Sequence, residues 1–160
     1  MKRFLQNLVI LSMVPSVAFA DIFFCNHIRQ TGKEGATPEV VITSKDESIQ
    51  QGAVLSVRCN VDKDGLQVLL VVHEQNYQGR RPVLRFTTGV ETVTFSALPS
   101  RLGNAFLLPN NHEREIVSLL KTGKPLTLEI FAGEQDKKAS YLFNLSRIDA
   151  FFSRLPCVQP

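Results

Sequence analysis

Between Glu39 and Leu145 the sequence is cut into short runs rich in Val, Ile, Leu, Phe and Thr, each bounded by turn residues. That punctuation constrains the fold more than any other feature, because such runs are too short for buried helices and carry the residue types that pack on a pleated surface. Strands are predicted near Glu39–Ser44, Val54–Cys59, Leu66–Glu74, Val83–Thr88, Glu91–Ala97, Asn104–Leu108, Leu126–Ala132 and Ala139–Leu145. Alternation is clear around the fifth, where Val90, Thr92 and Thr94 fall on one face and Glu91, Val93 and Phe95 on the other. Half-buried antiparallel sheet gives that pattern. Asp62-Lys63-Asp64-Gly65 carries the Asp-Gly signal of a hairpin turn, and residues 133–137 form a longer polar connection. Thr31 to Thr37, with Gly32 and Gly35, reads as a flexible loop.

Two segments switch to helical period. In the first, Asn110 or Asn111 can cap, Glu113 and Glu115 suit the first turn, and Ile116, Leu119 and Leu120 make an apolar face. Gly123 supplies the stop. In the second, Ser146 is expected to cap Arg147–Leu155, with Ile148, Phe151, Phe152 and Leu155 on one face and Pro156 at the end. The expected fold is therefore mainly β: one antiparallel, sandwich-like domain with one or two short covering α-helices.

The first twenty residues read as a secretory signal. Lys2 and Arg3 give a basic start, Leu8 to Val14 an apolar core, and Ala18-Phe19-Ala20 a small-x-small cleavage site. The apolar core is well short of the roughly 20 residues that span a bilayer. Cys25 follows Ile22-Phe23-Phe24, not the small residues of a lipid-anchor site. Residues 1–20 are thus predicted to be removed, leaving 21–160 as a single β-rich periplasmic domain that does not insert in the membrane. The 18 Lys+Arg and 15 Asp+Glu of the whole chain become nearly balanced once Lys2 and Arg3 leave, which gives no support for nucleic-acid binding.

Export makes Cys25, Cys59 and Cys157 candidates for oxidation. Three cysteines allow three pairings and leave one over. Cys59–Cys157 is favoured, because it would staple the last amphipathic segment to a strand; Cys25–Cys157 is the rival.

Several segments together resemble a known group. They are Leu55-Ser56-Val57-Arg58-Cys59, Pro82-Val83-Leu84-Arg85-Phe86, Thr94-Phe95-Ser96, Ala105 to Leu108, the helix at Glu115–Leu120, Leu126 to Ile130, Tyr141 to Leu145 and the closing Cys157. The order resembles the periplasmic proteins associated with type VI secretion, of the TagO/VasI kind, and more loosely the invasion-associated locus B proteins. The pattern departs from that group at Thr87, where it has Asp, and at Arg147-Ile148, where it has Gly-Leu. The resemblance implies a β-sandwich-like accessory protein with a Cys59–Cys157 bridge.

Chemistry-bearing patterns are sparse. His27, His73 and His112 are far apart and fit no metal-ligand spacing. Cys25-Asn26-His27 could place a base near a thiol, yet residues two apart on a strand share a face without being bonded. Asp62, Asp64 and Gly65 lack the later ligands of a calcium loop, and no G-x-S-x-G occurs. Arg85 lies inside an apolar strand, either facing solvent or paired with an acid. The remaining feature is a basic loop, Gln78-Gly79-Arg80-Arg81-Pro82 beside Tyr77, with Arg101 in a second loop that would join it if the connections cluster at one end. Tyr77, Arg80, Arg81 and Arg101 are the candidate partner-binding residues.

The expected function is that of a non-catalytic periplasmic accessory or binding protein acting by protein–protein contact, with a secretion system as the setting the resemblance implies. The alternative is an inhibitor or immunity protein against a cell-wall hydrolase. No catalytic residue, metal or cofactor is expected, and the partner is another envelope or secreted protein.

Overall fold

The computed structural model describes residues 22–28, 36–44, 52–60, 65–73, 76–133 and 135–159. The segment read as a leader, most of the expected loop after Thr31 and the expected turn at Asp62-Lys63-Asp64 lie outside the described residues. Among the described residues nine strands form two antiparallel sheets. β1 (Ile22–Ile28), β2 (Ala36–Thr43), β3 (Ala53–Asn60), β4 (Gly65–Val72) and β7 (Ala105–Leu107) make one, in that spatial order. β5 (Val83–Thr88), β6 (Glu91–Ser96), β8 (Leu126–Phe131) and β9 (Lys137–Phe143) make the other, in the order β6-β5-β8-β9. The described residues also hold two short helices, α1 (Asn110–Lys121) and α2 (Ile148–Phe152), and a 3-10 turn at Pro156–Val158. A mainly β, sandwich-like domain is what the sequence pattern predicts.

The period-two pattern decides which side chains meet. β4 sends Val68, Leu70 and Val72 inward, and β3 sends Leu55 and Val57, all fully buried. From the other sheet come Leu84 and Phe86 of β5 and Leu126, Leu128 and Ile130 of β8, equally buried. These belong to one continuous core. Burying each such side chain stabilises by roughly 1.5–3 kcal/mol relative to exposure. α1 packs against β4 of one sheet and against β5 and β6 of the other, so its Ile116, Leu119 and Leu120 close one side of the sandwich.

Where β7 ends, α1 takes over the edge of β4. The amide of Leu108 donates to the Val68 carbonyl at 3.0 Å, and the Val68 amide donates to a carboxylate oxygen of Glu113 at 3.2 Å. The Glu113 side chain is buried, and burial raises its carboxyl above the ordinary glutamate range despite that hydrogen bond.

Three details differ from the sequence expectation. β1 is a full strand, paired along β2 from Ile22↔Ile42 to Ile28↔Ala36. α1 starts after Pro109, which takes the cap position, and its extended backbone (φ −64°, ψ 142°) lets its carbonyl accept the amides of His112 and Glu113. α2 is shorter than Arg147–Leu155. Asn144 Oδ1 accepts the Ser146 amide at 3.1 Å, Arg147 adopts a left-handed conformation (φ 68°), and the helix begins only at Ile148. Leu155 then extends, still buried, into Pro156.

Cys59 and Cys157 are joined, as favoured, and Cys25 on the edge strand β1 remains a half-buried thiol opposite Glu39. The bond fastens the C-terminal turn to β3. Among the described residues no helix is long and apolar enough to cross a membrane.

Candidate functional site

β5 starts, and β4, β6 and β8 end, at one end of the sandwich, because Val83 pairs with both Ser96 and Phe131. The connections at residues 76–82 and 97–104 therefore meet there. Their backbones are tied together: the Tyr77 amide donates to the Gly103 carbonyl at 2.7 Å, and the Ala97 amide to the Pro82 carbonyl at 3.0 Å. Inside the second loop the Ser100 amide donates to Ala105 at 2.6 Å and the Gly103 amide to Ser100 at 2.9 Å. Gly103 needs its glycine, since φ is +76° and a Cβ would run into Asn76 Oδ1 and the Gln78 amide. That amide is held in turn by Asn76 Oδ1 at 2.8 Å.

Arg80, Arg81 and Arg101 all line one shallow depression of about 350 Å³, whose other walls include Leu98 and Pro99. The clustering expected of the two loops is thus present, and all three arginines are exposed. Tyr77 is placed otherwise. Only 2% exposed, its ring lies 5.7 Å from that of Phe106 and faces the core, so it supports the loop from beneath and offers nothing to a partner. This corrects its reading as a surface aromatic. A large ring next to a basic loop is indistinguishable in sequence from one that anchors it. Burial, with a smaller push from Tyr141 and a small opposing pull from Arg80, drives the Tyr77 hydroxyl up to about 12.

Leucines add what the sequence reading leaves out. Leu98 is 63% and Leu102 78% exposed, and the antiparallel bridge between Pro99 and Phe106 carries Leu98 past Leu107, itself 53% exposed. Nothing in a linear sequence separates a loop leucine that is buried from one that is not; the signal is only that three leucines flank a loop already committed to turns.

The other candidates fall elsewhere. Arg85 is paired with an acid: it sits opposite Glu129 in register, 3.7 Å from its carboxylate, with the guanidinium 4.6 Å from the Phe131 ring centroid. His112 stacks on Phe95 with centroids 4.4 Å apart and shares a 2.8 Å contact with Glu115, while His73 is exposed at the end of β4. His27 lies opposite Thr37 on β1. Among the described residues no three His, Cys, Asp or Glu side chains come together to hold a metal. The loop end hence carries cationic groups on a hydrogen-bonded frame, with exposed apolar groups beside them.

The chain matches no protein family, no curated protein and no solved structure.

Proposed function

We propose that the chain is a non-catalytic accessory protein of the bacterial periplasm that acts by protein–protein contact through its arginine-bearing loop end. The observation that carries this reading is the convergence of Arg80, Arg81 and Arg101 on one depression, over loops locked to each other by backbone hydrogen bonds. A surface already ordered loses little conformational freedom on binding, so more of each contact appears as affinity. Residues 1–20 have the pattern of a cleaved secretory leader, and the Cys59–Cys157 bond suits an oxidising compartment. The order of segments resembling the TagO/VasI kind supports service to a secretion apparatus at the envelope.

A second reading, an inhibitor or immunity protein against a cell-wall hydrolase, draws on the same geometry. Glycoside hydrolase clefts carry paired carboxylates, and a rigid cationic loop complements them. Affinity capture from periplasmic extract tests both readings, using the tagged chain beside a variant carrying Arg80→Glu and Arg101→Glu. The expected result is one envelope or secreted protein retained by the wild type and lost with the variant; a hydrolase in that position selects the second reading. Identical protein sets on both columns would sink the assignment of the contact to this end.

A further inference from the structure

Resting on the protein-contact reading of the loop end, we infer that the partner presents an acidic segment bearing an apolar residue, which lays its carboxylates on Arg80, Arg81 and Arg101 and its apolar side chain on Leu98. Charge complementarity is the first argument. Residues 76–82 and 97–104 contain three arginines and no Asp or Glu. The salt bridges among the described residues involve Arg85, His112, Lys137 and Lys138, and none involves these three arginines. Arginine forks favour carboxylates, which they can grip through two hydrogen bonds each.

The second argument is the apolar surface between them. Leu98 and Leu107, side by side, are more than half exposed, and Leu69 lies opposite Leu107 in register on the same outer face of the five-stranded sheet. Beyond Leu69 the register leads to Ser56, which is buried, so this exposed apolar surface is confined to the β4–β7 edge. Exposed leucines, Leu98 beside Leu107, next to an arginine rim have the composition of a docking patch, in which a central apolar contact excludes water and the rim charges select the partner. Simple phosphate or carboxylate ions would satisfy the arginines and leave the leucines wet; an acidic segment with an apolar anchor uses both. A bilayer surface would engage the same groups, yet the arginines line a concave depression and not a convex tip, which favours an inserted side chain.

The test is fluorescence anisotropy with a labelled peptide of alternating Glu and Leu, beside its Lys-Leu counterpart and beside phosphatidylglycerol vesicles. Expected is binding to the acidic peptide alone, weakened at least about tenfold by Arg80→Glu or Arg101→Glu and about fivefold by Leu98→Ser. Raising salt from about 0.1 M to about 1 M, which shortens the screening length from ~10 Å to ~3 Å, should weaken it by about tenfold. Lys124→Glu makes the same charge change near Gly89, at the opposite end of β5, and should leave binding unaltered. The mutated positions are exposed, and a thermal melt of each variant is the control for folding. Three results overturn the inference: Lys124→Glu acting as strongly as Arg80→Glu, Leu98→Ser having no effect, or vesicles binding in place of the peptide. Absence of any peptide binding overturns it too. If affinity capture still returns a loop-dependent partner in that case, the acidic chemistry falls alone and the protein-contact reading stands.

Discussion

Cys157 is bonded to Cys59 across 98 residues of chain, with the two Cα atoms 5.5 Å apart. The closed loop runs from the end of β3 through β4 to β9 and both helices, so the bond restricts more than half of the unfolded chain. Loop-closure entropy for a span of that size is worth about 4–5 kcal/mol. The Cys59→Ala/Cys157→Ala double variant should lose stability of that order in urea unfolding, with a steeper dependence of free energy on urea because its unfolded chain exposes more surface. Cys25→Ala, at a half-buried position on an edge strand, should lose no more than about 1 kcal/mol. Equal losses in the two variants would show that the covalent closure is not what stabilises the fold.

The Tyr77 hydroxyl is buried with no hydrogen-bond partner among the described residues. An unmet buried hydroxyl costs about 1–3 kcal/mol, so Tyr77→Phe should leave the domain as stable or raise its melting temperature, while Tyr77→Ala, which also empties the space beside Phe106, should cost about 3–5 kcal/mol. The phenol is pushed up to about 12 in the folded chain against about 10 unfolded. Its contribution is therefore fully present below pH 10 and lost as pH rises toward 12. The loss should be smaller in Tyr77→Phe. Chemical unfolding at pH 9 and pH 11 checks both statements, and a Phe variant that melts well below wild type would refute the account.

Glu113 offers a second pH handle of the same sign. Burial raises its carboxyl, so the folded state prefers the protonated form. Stability from this group is present below the unfolded glutamate pKa and declines as pH climbs through the raised folded value. Glu113→Gln keeps an oxygen to accept the Val68 amide and removes the charge. The variant should match wild type in mild acid and exceed it at neutral pH. A Gln variant that loses stability at neutral pH would mean that the carboxylate, and not the hydrogen bond, is what β4 requires.

How far the sequence reveals this molecule depends on which physical rule governs each part. β5 and β8 are legible almost to the residue, because alternation between a core face and an outer face is strict when one side is buried. β1 is missed because Ile22-Phe23-Phe24 is a continuous apolar run without the alternation that marks the other strands, and its strand character comes from pairing with β2. The second helix is over-extended because Ile148, Phe152 and Leu155 do share the core, although only the first two do so on helical turns. At the loop end the arginines are visible as charges in turns, and their meeting depends on the Val83 register, which no local window contains. Tyr77 and Leu98 exchange the roles their hydrophobicity suggests. Burial there is set by the Tyr77–Gly103 hydrogen bond and the Pro99–Phe106 bridge, both products of tertiary pairing.

Gly103 makes the link between that pairing and function testable. Ala at this position must adopt a left-handed backbone, costing about 1–2 kcal/mol, and its Cβ must also displace Asn76 and the Gln78 amide. Gly79, also left-handed at φ +71°, has nothing within 4 Å of the position a Cβ would take, so Gly79→Ala isolates the backbone cost alone. Gly103→Ala should therefore be the less stable of the two and should separate the loop carrying Arg80 and Arg81 from the one carrying Arg101. Partner capture and acidic-peptide binding should fall in Gly103→Ala even though every arginine is retained, and should persist in Gly79→Ala at temperatures where both variants are folded. Undiminished binding in Gly103→Ala would mean that the arginines act as independent charges and that the fixed frame beneath them contributes nothing to recognition.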